Sequence, residues 1–189
     1  KAEIVVADNG STDNSVEWLQ ATYPAIKLIQ LKNNYGFAEG YNISIGRVET
    51  PYVLLLNSDV EVTPNWIQPM LTYMEEHQNV IAVQPKILQY KDKTKFEYAG
   101  GAGGFIDKFG YPFCRGRLFS SIEEDKGQYN DERQIFWASG ACMMVRRVDF
   151  VDYGGLDENF FTHQEEIDFC WRVNSRGRKV FYIPSSVVY

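Results

Sequence analysis

An apolar run that ends in an acid constrains this chain more than any other feature. Val53-Leu54-Leu55-Leu56 is uninterrupted and breaks directly into Asn57-Ser58-Asp59. A short continuous apolar run predicts a strand buried on both faces, as in parallel α/β sheets. Ligands of open parallel sheets sit beyond the carboxyl ends of the strands, so Asp59 stands where a substrate, or a cation carried by one, would be met. Asn-Ser-Asp is equally ordinary turn chemistry, and the run alone does not choose between turn and site.

The remaining pattern extends the α/β reading. Strands are predicted at 4–7, 26–31, 80–83, 135–145 and 179–183. Helices are predicted after Asp13, over 37–48, over 64–77 with a kink at Pro69, over 150–156 and over 164–176. Val16, Trp18, Leu19 and Tyr23 form the apolar face of the first helix. Strands alternating with helices over short turns predict layers around a mainly parallel sheet. From Tyr90 to Gln134 the pattern dissolves into Gly100-Gly101-Ala102-Gly103-Gly104 and scattered aromatics, which predicts hairpins or a long irregular excursion. No linker divides the chain, so a single domain over 1–189 is expected.

Composition narrows the function classes. A 44% hydrophobic content in 189 residues allows one well-packed core. The formal charge of −6 and the lack of a basic stripe argue against nucleic acid as a partner. A substrate with its own phosphates would then need a metal or local dipoles. Cys114, Cys142 and Cys170 are widely spaced, as expected of small buried hydrophobes in a reducing compartment. With only His77 and His163, a multi-histidine metal site is excluded. No apolar stretch reaches the length of a membrane span.

Two further groups of acids are candidates. Glu165, Glu166 and Asp168 open the last predicted helix, where carboxylates oppose the macrodipole. Asp168 is spaced to pair with Arg172. Glu165 and Glu166 follow a glycine- and aromatic-rich turn, and desolvation by Phe160, Phe161 and Trp171 would tune one of them toward a general base. Asp8 ends its strand on the same sheet edge as Asp59, beside a glycine turn suited to anions. Asp13 or Ser11 would cap the helix that follows.

In chain order, Asp8-Asn9-Gly10-Ser11-Thr12-Asp13, Asn34-Tyr35-Gly36-Phe37-Ala38-Glu39-Gly40-Tyr41-Asn42, Leu55-Leu56-Asn57-Ser58-Asp59, Ser139-Gly140-Ala141 and Gly155-Leu156-Asp157-Glu158 through Glu165-Glu166-Ile167-Asp168-Phe169-Cys170-Trp171-Arg172 form a recognisable set. The chain resembles a family-2 glycosyltransferase of the GT-A fold, in the bacterial rhamnosyltransferase-like branch. The resemblance implies a metal-dependent, inverting hexosyltransferase of surface polysaccharide synthesis, with a nucleotide-diphosphate sugar as donor and a glycan or lipid-linked acceptor. It assigns donor nucleotide binding to Asp8, Asn34, Gly36 and Asn57, and the donor sugar pocket to Gly140 and Ala141. It assigns Mg²⁺ or Mn²⁺ to Asp59, and the catalytic acidic pair to Glu165 and Glu166, with Glu166 as base. Cytoplasmic location, with peripheral docking at the inner face of the membrane, goes with that branch.

The sequence departs from the family pattern at three places. Asn57 replaces the first acid of the Asp-x-Asp motif, and Glu166 stands where Asp is commoner. Family members also carry a strand and helix before the position of Asp8, and many have a histidine after the last strand. A domain truncated at both ends is therefore expected, with an incomplete sheet open to self-association. A sugar nucleotidyltransferase and a non-catalytic sugar-nucleotide-binding module are the alternatives.

Overall fold

A computed structural model describes residues 2–189. The chain opens with β1 (Val5–Asp8), α1 (Ser15–Thr22), β2 (Lys27–Gln30), α2 (Gly36–Gly46), β3 (Tyr52–Leu56), α3 (Ile67–Glu76) and β4 (Val80–Ile87). Four short strands follow: β5 (Gly104–Ile106), β6 (Pro112–Cys114), β7 (Arg117–Leu118) and β8 (Ser121–Ile122). The last part holds β9 (Arg133–Ile135), β10 (Cys142–Arg146), α4 (Arg147–Asp152), α5 (Glu165–Ser175) and β11 (Lys179–Val188).

The sheet is mixed and in two parts. β1 pairs with β2 in parallel, and a five-stranded sheet runs in the order β3-β10-β4-β11-β9. β10 is antiparallel to β3 and β4, β11 is parallel to β4, and β9 is antiparallel to β11. β4 is buried along its whole length, which is why its sequence shows no polar alternation except at Gln84 and Lys86. α2 joins the two parts: Ala38 and Ile45 are buried in one core with Leu55, Met143, Phe150 and Cys170.

Hydrogen-bond phase shows which sheet edges are free. The Asn57 N–H donates to the Ala141 carbonyl at 3.0 Å and the Arg147 N–H to the Pro51 carbonyl at 3.0 Å. Antiparallel ladders alternate, so Val53 and Leu55 aim their backbone groups at β10. Tyr52, Leu54 and Leu56 aim theirs at the opposite edge, where the Tyr41 hydroxyl donates to the Leu56 carbonyl at 3.2 Å. In the same way Asp8 bonds toward β2, accepting from the Leu31 N–H at 2.9 Å, which turns Val5 and Ala7 outward. Among the described residues no strand pairs with either outer edge.

Several expectations change. β3 is a strand, but only Leu55 is fully buried, because β3 lies at an edge of the five-stranded sheet. The strand expected over 135–145 divides into β9 and β10, and Gly140 and Ala141 form the turn leading into β10, closed by the Cys142 N–H on the Ser139 carbonyl. Pro69 kinks nothing: it sits in the first turn of α3, where a missing N–H removes no helical bond. Trp18 and Tyr23 are 59% and 49% exposed and pack on each other edge-on, because α1 covers only a two-stranded unit.

The excursion from Tyr90 to Gln134 forms two hairpins, β5–β6 and β7–β8. It is pinned to β4 by the nearly buried Lys86 ammonium, which donates to Asp125 and Asn130 at 2.6 Å each. Close approach fixes Gly104, because a Cβ there would lie 2.1 Å from the Trp137 ring.

Candidate active site

Turns at the strand ends assemble the site. After β1, the Asn9 side chain reaches across to the second glycine turn. Its Nδ2 donates to the Gly36 carbonyl at 2.8 Å and to Asn34 Oδ1 at 3.1 Å, and its Oδ1 accepts from the Tyr35 N–H at 3.0 Å. Asn34 Oδ1 also accepts from the Gly36 N–H at 2.9 Å. Asp8, 8% exposed, accepts from the Ser11 N–H at 3.3 Å. Gly36 has φ +76°, and a Cβ there would lie 2.6 Å from the Phe161 carbonyl oxygen. The predicted trio Asp8, Asn34 and Gly36 is thus one cluster, and the Asn9 amide holds it together. Sequence reasoning passed over Asn9, although its place beside Asp8 in the first motif pointed to it.

The second turn lies across β10. The Asn57–Ala141 backbone bond continues the β3–β10 ladder, and the Val60 N–H returns to the Asn57 carbonyl at 3.3 Å, leaving Ser58 and Asp59 at the tip. Asp59 is exposed and forms no hydrogen bond or ion pair among the described residues. The Ser139-Gly140-Ala141 turn is held from behind by Gln84, which is fully buried. Gln84 Oε1 accepts from the Ser139 N–H at 2.9 Å, and Gln84 Nε2 donates to the Gly100 carbonyl at 2.7 Å. A polar residue inside an otherwise apolar strand was the available signal for Gln84.

The acidic pair meets this turn. A Cβ on Gly140 would lie 3.3 Å from Phe37 Cζ and 4.0 Å from the Glu166 Cβ. Glu166 therefore stands beside Gly140, at the start of α5. One connected path runs from Asp59 through Ala141 to Gly140, which adjoins Glu166 on one hand and, on the other, Phe37 with Gly36, Asn9 and Asp8 behind it. The Phe37 N–H donates to the Phe161 carbonyl at 2.8 Å, so Phe161 covers Gly36, and its own ring is 60% exposed. Trp171 packs edge-on against Phe136, at 5.5 Å between centroids and 87° between planes. Gly140 is thus a neighbour of both Phe37 and Glu166, while Phe161 lies over Gly36 and Trp171 on Phe136.

Electrostatics separate the acids by role. Asp168 accepts from Arg172 Nε at 2.8 Å, and Arg172 also donates to the Tyr153 and Gly155 carbonyls. Asn42 grips the same loop, donating to the Leu156 carbonyl at 2.8 Å and accepting from its N–H at 2.9 Å. Asp168 is therefore a structural tie, as its spacing predicted. Glu165 is 4% exposed, and one oxygen of each glutamate (Oε2 in both) is buried without a hydrogen-bond partner. Burial pushes both carboxyls above the usual range, Glu165 raises Glu166 further, and His163 opposes the shift in both. His163 and Gln164, just before α5, have φ of +72° and +76°. Two consecutive side-chain-bearing residues in the left-handed region store strain where the acids are set.

This burial has a measurable consequence. Native Glu165 keeps a proton that the unfolded chain releases near 4.5. Its contribution to stability is therefore full below that value and is lost as pH rises through the raised native value. Glu165→Gln is expected to raise stability at neutral pH by about 1 kcal/mol and to flatten this part of the profile. Melting temperature against pH for both proteins checks it. Parallel profiles would show that the buried charge costs nothing.

A hard cation fits one part of the site. Among the described residues no group of three or more His, Cys, Asp or Glu could hold a metal, so a cage built from protein alone is absent. Mg²⁺-like ions are commonly held by one or two carboxylates together with substrate phosphates and water, and the unpaired Asp59 carboxylate suits that arrangement.

Comparison with known proteins bears on the family and the fold. The profile of Glycosyl transferase family 2 matches residues 1–154. The chain is 26% identical over 201 residues to the N-acetylglucosaminyl-diphospho-decaprenol L-rhamnosyltransferase of Mycobacterium tuberculosis, covering 98% of this chain and 65% of that protein. It is 29% identical over 178 residues to the low-salt glycan biosynthesis hexosyltransferase Agl10 of Haloferax volcanii, covering 90% of this chain and 53% of that protein. The chain thus spans between half and two thirds of these relatives. Among solved structures, GalNAc-T7 with UDP, GalNAc and Mn²⁺ superposes with a TM-score of 0.74 at 15% identity, covering 99% of this chain and 37% of that one. The mannosyltransferase PcManGT of Pyrobaculum calidifontis, with GDP-Man and Mn²⁺, gives 0.65 at 15% identity over 98% of this chain and 46% of that one. The fold is GT-A, and the chain belongs to glycosyl transferase family 2.

Proposed function

We propose that this chain is the catalytic part of an inverting glycosyltransferase that moves a hexose, rhamnose in the leading reading, from a nucleotide-diphosphate donor to a hydroxyl of a glycan or lipid-linked acceptor. The observation that carries the proposal is the meeting of Glu166 with the Gly140 turn, which hydrogen-bonds on its other side to the strand end that carries Asp59. The acceptor hydroxyl gives its proton to Glu166 as its oxygen forms a bond to the anomeric carbon. The bond from that carbon to the diphosphate oxygen breaks, and the diphosphate leaves with the electron pair. A single displacement inverts the anomeric configuration. A desolvated carboxylate with a raised pKa is a stronger base than an exposed one, and the surroundings of Glu166 supply that desolvation.

Asp8, Asn34, Gly36 and Asn57 line the nucleotide side of this reading, and Gly140 with Ala141 the sugar side. Asp59 would hold Mg²⁺ or Mn²⁺, which when bound neutralises charge on the diphosphate. The relatives named as rhamnosyltransferase and hexosyltransferase, one of them with a diphospho-decaprenol acceptor in its name, support a lipid-linked or glycan acceptor. A cytoplasmic reaction at the inner face of a membrane goes with it. No helix among the described residues is long and apolar enough to cross a membrane. The unpaired edges of β1 and β3 also leave room for strand exchange between copies.

The test is a thermal-shift screen of nucleoside diphosphates and nucleotide sugars, with and without Mn²⁺, on the whole protein, followed by transfer assays with the donor that binds. Cation-dependent stabilisation by one nucleotide class is expected. Stabilisation without any turnover on the acceptors tried would favour the non-catalytic binding module.

A further inference from the structure

We infer that the buried Gln84 side chain is the positioning residue for the donor sugar, acting through the Gly140 turn and independently of the nucleotide cluster. The inference rests on the transferase reading, in which that turn is the sugar side of the site. Gln84 is fully buried on β4, where it follows the apolar run Val80, Ile81, Ala82 and Val83. A primary amide in such surroundings is costly unless its oxygen and nitrogen are both bonded. Here both are bonded. Gln84 Oε1 accepts from the Ser139 N–H at 2.9 Å, and Nε2 donates to the Gly100 carbonyl at 2.7 Å and the Pro85 carbonyl at 3.3 Å. The Ser139 group can only donate and the Gly100 group can only accept, so the amide has one workable orientation.

The glycine stretch that opens the excursion is the wall this amide leans on. Gly100 has φ +93°, and a Cβ there would lie 2.9 Å from the Ser139 Cβ. The Gly100 carbonyl also accepts from the Gly103 N–H at 3.0 Å, and the Gly101 carbonyl from the Ile87 N–H at 2.9 Å. The stretch is therefore fixed to β4 and lies against Ser139, and Gln84 bridges the two. From Ser139 the constraint passes forward. Its carbonyl accepts from the Cys142 N–H at 3.2 Å, and its Oγ from the Ala141 N–H at 3.4 Å. Gly140, enclosed by these bonds, faces Phe37 and the Glu166 Cβ. The nucleotide side is held by a different amide, Asn9, bonded to Asn34, Tyr35 and Gly36. Asn9 and Gln84 share no hydrogen-bond partner among the described residues. Two side-chain amides thus set the two halves of one donor site separately. The reacting carbon belongs to the sugar half, where a misplacement of about 1 Å costs about a hundredfold in rate.

The test is calorimetry on the whole protein in Mn²⁺, with UDP, dTDP and GDP set against UDP-glucose, dTDP-rhamnose and GDP-mannose. The ratio of dissociation constants for a nucleotide sugar and its diphosphate isolates the share of the sugar. Gln84→Met keeps a similar volume and removes both bonds. It is expected to weaken the bound nucleotide sugar about tenfold and to leave its diphosphate unchanged. Gln84→Glu is expected to restore the ratio at low pH, where a buried carboxyl keeps its proton and still donates to the Gly100 carbonyl. That rescue should fade as pH rises. A general loss of stability would move both ligands alike. Equal weakening of both, or a ratio in Gln84→Glu that ignores pH, overturns the inference. If neither variant folds, hydrogen exchange in the wild type decides: the nucleotide sugar, and not the diphosphate, is expected to slow exchange across both 100–104 and 139–142. Any other pattern overturns the inference. A wild type that binds no nucleotide sugar sinks the transferase reading and this inference together, whereas a ratio unmoved by Gln84→Met sinks the inference alone.

Discussion

Glu166→Gln is expected to lower the transfer rate by about 10²- to 10⁴-fold, the usual worth of a positioned general base, while donor binding and folding persist. Gln keeps the shape and cannot take a proton. Because burial and the neighbouring Glu165 raise the Glu166 carboxyl, the wild-type rate should climb with pH along an acid limb displaced above the ordinary carboxylate range. The sign follows from the chemistry, since the base works only when ionised. In the Gln variant the residual rate should lose that limb. Glu166→Asp should retain part of the activity, because the carboxylate survives at one methylene shorter reach. Steady-state kinetics across pH with a fixed donor decide the matter. A Gln variant that turns over like wild type would remove Glu166 from the chemistry, and Glu165→Gln would then be the next protein to assay.

Much of the architecture was legible because local signals and packing agreed. The buried strand β4, the helix α5 opening on three acids, and the turns after β1 and before α2 all follow from hydrophobic period and turn chemistry. What misled was burial. An apolar run predicts neighbours on every side, yet among the described residues β3 pairs only with β10, and its Tyr52, Val53, Leu54 and Leu56 are half-buried. The division of 135–145 was hidden for a related reason. Phe136, Trp137 and Ala138 are apolar for packing against the hairpin and α5, a demand that leaves the same mark on sequence as a strand.

The site was legible where residues of one motif act together, and illegible where contacts join distant segments. Asp59, Gly140 and Glu166 could be named from their motifs, but their adjacency depends on the β3–β10 register and on the seat of α5 against Phe37. Gln84 and Asn9 hold the site through hydrogen bonds that span 55 and 27 positions respectively, and no local pattern announces such partners. Gln84→Leu would remove the acceptor for the Ser139 N–H, so its effect on the Gly140 turn would arrive from behind the site. Phe161 and Trp171 likewise meet partners far along the chain, Gly36 and Phe136 respectively, which sequence proximity to the acids does not announce.

Asp59→Ala should abolish the cation-dependent part of nucleotide binding while leaving the apo protein as stable as before. The second half follows from position. Asp59 is exposed at the tip of a turn and has no hydrogen-bond or ion-pair partner among the described residues, so its removal should change stability by no more than about 0.5 kcal/mol. The first half follows from charge. An acidic protein cannot hold a diphosphate by electrostatics without a cation, and Asp59 is the free carboxylate at the strand end that meets the sugar-side turn. With ligand at about a hundredfold over Kd, binding adds about 2.7 kcal/mol, which is about 5 to 10 °C in melting temperature for a domain of this size. Wild type should show that rise with nucleoside diphosphate and Mn²⁺ together and lose most of it in EDTA. The variant should give the EDTA result under both conditions. A variant that still responds fully to Mn²⁺ would place the cation on other ligands. A wild type indifferent to EDTA would mean that backbone donors at the Gly10 and Gly36 turns carry the diphosphate unaided, and the thinner acid motif at Asn57-Ser58-Asp59 would then mark a site with no need of metal.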